Sequence, residues 1–220
     1  MRSARSFYRL TALVCIVGAL MGCSMPSKPR ATNATPMSYV LPVSFTGSAQ
    51  GYMLEPAALG KGYNVMSDTD SPEWYGPWGD WSGPLYTIPS GGLQSVHWCL
   101  YTDPDAGAEA LEVRQHVAVY ASTEGANAAF ALILDQLETA TRQNLLEVTD
   151  EAVPYGEESW GMGWTFQLAG STGQAHVLDV LRYANLVTVL VFSGPPPLAR
   201  ERVGQLCECA ECRLAEVGAE

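Results

Sequence analysis

Residues 160 to 192 read WGMGWTFQLAGSTGQAHVLDVLRYANLVTVLVF, and this stretch decides the predicted fold. From Trp160 to Leu168, large apolar side chains occupy every second position, which is the period of a half-buried β-strand. A Gly-Ser-Thr-Gly turn leads into a second strand at 175–183, and a third, rich in β-branched residues, follows at 186–192. Because short turns join all three strands, the sequence predicts an antiparallel sheet.

The segments on either side of this stretch predict a further strand and two long helices. Residues 112–121 alternate between apolar and polar side chains, which indicates a half-buried strand. A helix begins after Ser122 or Thr123 and runs to about residue 145, and a last helix covers 198–217, each with an apolar stripe at helical spacing. The predicted fold class is α+β: a single domain with a mainly antiparallel sheet, helices packed on one face of it, and disulfide staples.

The first half of the chain gives weaker signals. Residues 39–45 predict a short first strand, 55–60 a short helix with proline in its first turn, and 62–65 an extended segment. A stretch rich in Pro, Gly, Asp and Trp at 68–84 predicts a long loop, and residues 95–101 predict a strand.

The N-terminal residues predict a targeting segment rather than part of the fold. Three arginines precede an apolar run from Leu10 to Met21, which is too short to span a bilayer stably. The Leu-Met-Gly-Cys sequence ending at Cys23 resembles a bacterial lipobox, which implies cleavage before Cys23 and a diacylglycerol on its thiol. We therefore expect a lipoprotein signal peptide at 1–22, a flexible tether at 23–38 and a single folded domain at 39–220. An ordinary cleaved signal with a chance cysteine is the alternative.

The charge balance excludes some partners. The formal net charge of −11 becomes −14 once the three arginines of the signal peptide, Arg2, Arg5 and Arg9, are removed. An acidic protein is not expected to bind nucleic acid, because binding to the phosphate backbone depends on clustered basic side chains. It also disfavours electrostatic adhesion to anionic lipid, so the expected contact with the membrane is the lipid on Cys23. The predicted location is the extracytoplasmic face of the cell membrane.

Four cysteines, Cys99, Cys207, Cys209 and Cys212, remain in the predicted mature chain. An exported protein oxidises its thiols, so all four are disulfide candidates, with Cys99 paired to Cys207 or Cys209 in the preferred arrangement. The alternative is a metal-handling lipoprotein, in which the three clustered cysteines bind Zn or Cu(I) and Cys99 or His97 is a fourth ligand. Helical geometry opposes it, because it spreads the three thiols around the last helix.

The loop at 71–84 carries Trp74, Trp78 and Trp81, and aromatic rings on such a loop can form a stacking platform for a ligand. The competing interpretation is a loop that folds back over the sheet, with its rings in the core. His116 and His176 lie on predicted strands and have no metal-like spacing, so we expect them to be solvated or singly hydrogen-bonded. The sequence has no nucleophile elbow, zinc-protease helix or phosphate-binding glycine loop, which predicts a non-enzymatic protein without cofactor or metal.

Several of these segments together resemble a known family. They are Met53 to Val65, Cys99, Val119 to Phe130, Gly161 to Phe166 and Val180 to Asn185. Their order is similar to that in actinobacterial sensor-domain lipoproteins and in the extracellular domain of PknH-type Ser/Thr kinases. The resemblance implies a membrane-tethered α+β domain with disulfides and a cleft that binds an unknown small or wall-derived ligand. It brings no catalytic residues, and since no kinase segment is present, signalling implies an unknown partner protein.

Six residues are our sequence-based candidates for contact with that ligand: Trp74, Trp78, Trp81, His116, Trp164 and Arg182.

Overall fold

The structure, a computed structural model, describes residues 41, 43–74, 85–103, 105, 111–144, 149–150, 155–166, 173–198 and 200–217. A 3-10 helix (Ala49–Tyr52) comes first. The helices are α1 (Pro56–Leu59), α2 (Thr123–Asn144) and α3 (Arg200–Val217). The strands are β1 (Asn64–Thr69), β2 (Glu73–Trp74), β3 (Tyr86–Thr87), β4 (Leu93–Thr102), β5 (Glu112–Tyr120), β6 (Thr149–Asp150), β7 (Glu158–Phe166), β8 (Gln174–Tyr183) and β9 (Leu186–Gly194).

Seven strands form one sheet in the order β1-β4-β5-β9-β8-β7-β6, and every neighbouring pair is antiparallel. The three strands predicted in residues 160–192 are β7, β8 and β9, and they are adjacent in the sheet. β2 and β3 form a separate two-stranded ladder. The α+β class and the mainly antiparallel sheet are therefore confirmed.

One face of the sheet, here called the α2 face, packs against helix α2. The predicted stripe of this helix is buried, with Phe130, Ile133 and Leu137 among its members. Opposite them lie the side chains of alternate residues of the central strands, such as Val189 of β9 and Val180 of β8.

The other face, here called the α3 face, packs against helix α3 and the 3-10 helix. Leu206 and Leu214 of α3 share a second core with Leu190 of β9 and Leu181 of β8. The prediction that the helices pack on one face is thus wrong. The central strands present apolar side chains at both odd and even positions, and each set needs a covering layer.

A buried asparagine in the turn between β8 and β9 holds the N-terminal segment in place. Asn185 Oδ1 accepts a hydrogen bond from the Phe45 backbone N–H (2.6 Å), and its Nδ2 donates to the backbone oxygens of Phe45 (2.9 Å) and Tyr120 (2.6 Å). Residues 41 and 43–45 form no strand, contrary to the strand predicted at 39–45. Side-chain hydrogen bonds replace the predicted sheet pairing at this point.

The disulfide staple is not supported, because Cys99, Cys207, Cys209 and Cys212 are all free thiols. Cys99 on β4 has Tyr101 and Asp68 as its electrostatic neighbours, whereas Cys207 on α3 lies among Asp179 and Glu211. Cys209 is directed towards the backbone oxygen of Ala58, with its Sγ 3.9 Å away. The α3 cysteines therefore have surroundings different from those of Cys99.

None of the helices in the described ranges is long and apolar enough to cross a bilayer. The predicted signal peptide, Cys23 and the tether at 23–38 all lie outside the described residues.

Candidate ligand-binding site

The β2–β3 ladder lies on the α2 face and anchors both ends of the tryptophan-rich loop. Trp74 pairs with Tyr86, and both side chains are buried in the core of the α2 face. Gln136 of α2 fixes the ladder through two hydrogen bonds with the backbone of Thr87, at 2.7 and 3.0 Å. For Trp74, the interpretation as a core residue is confirmed, while Trp78 and Trp81 lie outside the described residues.

His116 on β5 is buried and hydrogen-bonded on both ring nitrogens. Its Nδ1 accepts from the Tyr86 hydroxyl (2.6 Å), and its Nε2–H points to the backbone oxygen of Ser71 (3.2 Å). We assign this neutral tautomer because burial raises the pKa of Tyr86 well above its usual range, which keeps the phenol a donor. Burial also lowers the pKa of His116 to about 3, so the ring is neutral at pH 7.

Arg114, two residues earlier on the same face of β5, carries the cationic group of the site. It forms an ion pair with Glu112, and its guanidinium lies 5.6 Å from the centre of the Trp74 ring. Its side chain is only 12% exposed, and its Nη1 has no hydrogen-bond partner among the described residues. Burial lowers the pKa of Arg114, and the Glu112 charge opposes that shift. The group therefore stays cationic with one donor nitrogen unused.

Trp98 on β4 has a second unused donor. Its ring centroid is 6.2 Å from that of His116, and its indole Nε1 is buried without a hydrogen-bond partner in the described part of the chain. An indole nitrogen can only donate. Both unsatisfied donors thus require acceptors.

Trp164 and His176 extend the site across the sheet. They lie opposite each other on β7 and β8, with ring centroids 5.2 Å apart and planes inclined by 20°. A hydrogen bond of 2.9 Å joins His176 Nδ1 to the Ser193 hydroxyl. Burial, and secondarily the positive charge of Arg114, lower the pKa of His176 to about 4. Because Arg114 acts on this histidine, the stacked pair belongs to the same electrostatic neighbourhood.

We call this set the aromatic–arginine cluster. Its members are Trp74, Tyr86, Trp98, Arg114, His116, Trp164 and His176. Both histidines are buried, each about 1% exposed, and His116 with its two hydrogen bonds departs from the expected solvated or singly hydrogen-bonded ring. With both histidines neutral, the guanidinium is the positive charge of the cluster. Such an arrangement can hold a flat or apolar group against the rings and an acceptor-rich group on the arginine.

Arg182 does not belong to this cluster. It lies six residues from His176 along β8, which corresponds to about 20 Å of strand. Its guanidinium donates to Glu157 (2.7 Å) and Glu158 (3.0 Å), so two carboxylates satisfy it. The structure therefore gives Arg182 a structural ion pair, and the predicted ligand contact is not supported.

Sequence reasoning missed four members of the cluster: Tyr86, Trp98, Arg114 and His176. The alternation of β5 places Arg114 and His116 on one face of the strand. Polar side chains on a strand normally indicate a solvent-exposed face, so the sequence does not reveal that the β2–β3 ladder covers this one. The signal that could have found them is the number of aromatic residues near the loop, which predicts a cover for that face.

The alternative metal site on α3 is not formed. Among the described residues, Cys207, Cys209 and Cys212 are not part of any group of three side chains whose ligand atoms could share one ion. Cys207 is fully buried, and burial raises its pKa well above the usual range, with Asp179 and Glu211 adding to the shift. The sequence-based metal hypothesis for the three α3 cysteines is therefore not supported among the described residues.

Among solved structures, the chain is similar to the crystal structure of the extracellular domain of PknH from Mycobacterium tuberculosis. The TM-score is 0.53 at 12% sequence identity, and the match covers 78% of this chain and 95% of the other. At this level of identity the similarity concerns the fold alone. No family model and no curated protein sequence matches the chain.

Proposed function

We propose that this chain is a membrane-anchored extracytoplasmic lipoprotein whose domain binds a small or wall-derived ligand as a sensor and catalyses no reaction. Its fold resembles that of an extracellular sensor domain. The lipobox-like sequence ending at Cys23 supports the anchor. A separate signalling protein would read the bound state.

The observation that carries the binding proposal is the buried, incompletely satisfied guanidinium of Arg114 among aromatic rings. A buried charge with an unused donor costs free energy unless a partner supplies an acceptor. Among the described residues, Trp98 Nε1 is a second donor of the same cluster without a hydrogen-bond partner. A ligand with a carboxylate or phosphate beside a ring or an apolar group would satisfy both donors and stack on the tryptophans.

The acidic body of the protein does not oppose such a ligand at short range. The formal net charge is −11 for the full sequence and −14 without the signal peptide, but exposed charges are screened beyond roughly 8 Å at physiological ionic strength. Within the cluster the histidines are neutral and the guanidinium is desolvated, so the local interaction with an anion is attractive. The overall charge lowers the association rate more than the affinity.

Tryptophan fluorescence of the full-length protein, extracted in detergent, tests the binding proposal. The probes are muropeptides, sugar phosphates and fatty acids. We expect at least one anionic probe to change the emission, and Arg114→Gln to weaken its binding by about 10-fold or more. Arg142→Gln is the matched control, because Arg142 is 70% exposed and its ion pair is with Glu138 of the same helix. Emission that no probe changes, or equal affinity in Arg114→Gln, would refute the proposal.

The anchor is tested separately by metabolic labelling with a clickable fatty acid. The wild-type chain should take up the label and stay with the membrane fraction. Cys23→Ser should lose the label, with Cys212→Ser as the control that keeps it. A labelled Cys23→Ser chain would contradict the anchor while leaving the binding site untouched.

A further inference from the structure

Three side chains with metal-binding chemistry meet on the α3 face, where edge strand β1 pairs with β4. One ligand atom from each of Asp68, His97 and Cys99 lies within 4.8 Å of the others. Asp68 is opposite Cys99 in the register, and His97 is two residues before Cys99, so all three share one face. A strand ladder holds all three positions, and no long loop is involved.

The contacts of His97 indicate a cation between it and Asp68. Its Nδ1 lies 2.8 Å from Asp70 Oδ1, with a geometry that lets the N–H donate to the carboxylate. Its Nε2 lies 2.7 Å from Asp68 Oδ1, yet this buried nitrogen makes no hydrogen bond with the described residues. With the proton on Nδ1, Nε2 directs a lone pair at a carboxylate oxygen. Two such lone-pair atoms at this distance repel unless a positive ion lies between them.

Either a proton or a metal ion can supply that charge, and Cys99 favours the metal. A proton on Nε2 would engage Asp68 alone and leave the Cys99 sulfur to its hydrogen bond with Tyr101, although one ligand atom of each of the three side chains lies within 4.8 Å of the others. A metal ion uses all three atoms at once, and Asp70 then holds the ring in the orientation that a metal ligand needs. A carboxylate that accepts from the second ring nitrogen is the usual companion of a histidine ligand.

We propose that Asp68, His97 and Cys99 bind a zinc-type divalent cation, with Asp70 as the residue that positions the imidazole. Sulfur, nitrogen and oxygen donors together suit Zn²⁺ rather than Mg²⁺ or Ca²⁺, which take oxygen. Three protein ligands leave the fourth tetrahedral position open. The Asp68 side chain is 46% exposed, so solvent reaches the site and that position can take water or a small ligand.

The protons and charges involved in metal binding at this site can be fully accounted for. The Cys99 thiol releases its proton to solvent as the sulfur–metal bond forms, while the imidazole and the Asp68 carboxylate each donate a lone pair. One thiolate and one carboxylate neutralise the dication, which keeps the cost of burial low. The site is independent of the proposed ligand-binding function, because the aromatic–arginine cluster lies on the opposite face of the sheet.

The test uses the full-length protein, purified without reductant, stripped with a chelator and titrated with Co²⁺ and then Zn²⁺. We expect one equivalent of Co²⁺ to give a thiolate-to-cobalt charge-transfer band with tetrahedral d–d bands, and Zn²⁺ to displace it. Cys99→Ser should abolish the charge-transfer band. Asp70→Asn should weaken Zn²⁺ binding by about 10- to 100-fold, as loss of such an outer partner does elsewhere.

Two further variants keep the result interpretable. Asp68→Asn changes an exposed side chain on an edge strand, so its loss of metal affinity cannot be attributed to unfolding. Cys212→Ser is the matched cysteine control and should bind Co²⁺ like the wild type. Absence of a cobalt band, a band that survives in Cys99→Ser, or peptide mapping that finds Cys99 in a disulfide would each overturn the proposal.

Discussion

The buried imidazole of His116 predicts a specific loss of stability in acid. The folded protein lowers the pKa of this histidine to about 3, against an ordinary value of 6.5. Below pH 6.5 the unfolded chain therefore binds a proton that the folded chain does not bind. The free energy of unfolding consequently decreases as the pH is lowered. The slope is about 1.4 kcal/mol per pH unit. Because the unfolded histidine is only half protonated at pH 6.5, the expected contribution is a loss of about 2 kcal/mol between pH 6.5 and 4.5.

The structure explains why the folded protein resists this proton. A second N–H on His116 would point Nδ1–H at the Tyr86 hydroxyl, which now donates to that nitrogen. Burial is the largest cause of the lowered pKa, and nearby His97 adds to it, while the hydrogen bond to the Ser71 carbonyl opposes it. Trp98 and Tyr86 lie against the ring and leave little room for water to solvate the charge.

Urea unfolding at several pH values between 7.5 and 4.5 measures this effect, with His116→Gln as the comparison. Glutamine can keep both hydrogen bonds but does not titrate. Carboxylates contribute equally to both proteins, so the difference between the two curves isolates the histidine. We expect the wild type to lose about 2 kcal/mol more than the variant between pH 6.5 and 4.5. Two parallel curves would show that His116 is not held neutral by the fold, and would refute the reasoning.

Three further variants test residues that stabilise the fold around the site. Asn185→Ala removes three hydrogen bonds to buried backbone groups, so it should cost about 3 kcal/mol or more and lower Tm by roughly 10 °C. Gly156→Ala should destabilise more than Gly47→Ala in urea unfolding: both have positive φ, but only Gly156 would place a Cβ 3.0 Å from a backbone oxygen. Arg182→Gln should lower Tm while Arg142→Gln leaves it within about 1 °C, since only Arg182 is buried beside two carboxylates. Equal shifts in either pair would contradict this account.

Local periodicity was enough to find the elements of the second half of the chain. The alternation of β5 and β7 and the stripe of α2 are repeated within single elements, and the observed bounds agree with the predicted ones within about two residues. The covering of both faces was also readable in principle. β9 is apolar at successive positions from Leu186 to Val187 and from Val189 to Phe192, and a strand buried on only one face would alternate.

The candidate site was less accessible from sequence, because its contacts join distant segments. Trp74 and Trp164 were predicted as ligand contacts, but the partner of His116 is Tyr86, 30 residues earlier, on a two-residue strand just after the predicted loop at 68–84. The spacing of the cysteines on the last helix suggested a metal site there, yet the three side chains whose ligand atoms lie close together come from β1 and β4. Proximity across a ladder depends on register, and register is a property of the whole sheet.

The two edges of the sheet have a consequence for self-association. An edge strand offers unpaired backbone groups to a neighbouring molecule, and a long flat apolar edge invites aggregation. Here β6 is only two residues long, and β1 carries a carboxylate at Asp68 and an irregularity in its pairing between Val65 and Ser67. The exposed side chains of Val65 and Met66 therefore lie beside a bulge and a negative charge rather than on a flat ribbon. Copies of this domain crowded side by side would resist joining their sheets into a continuous one.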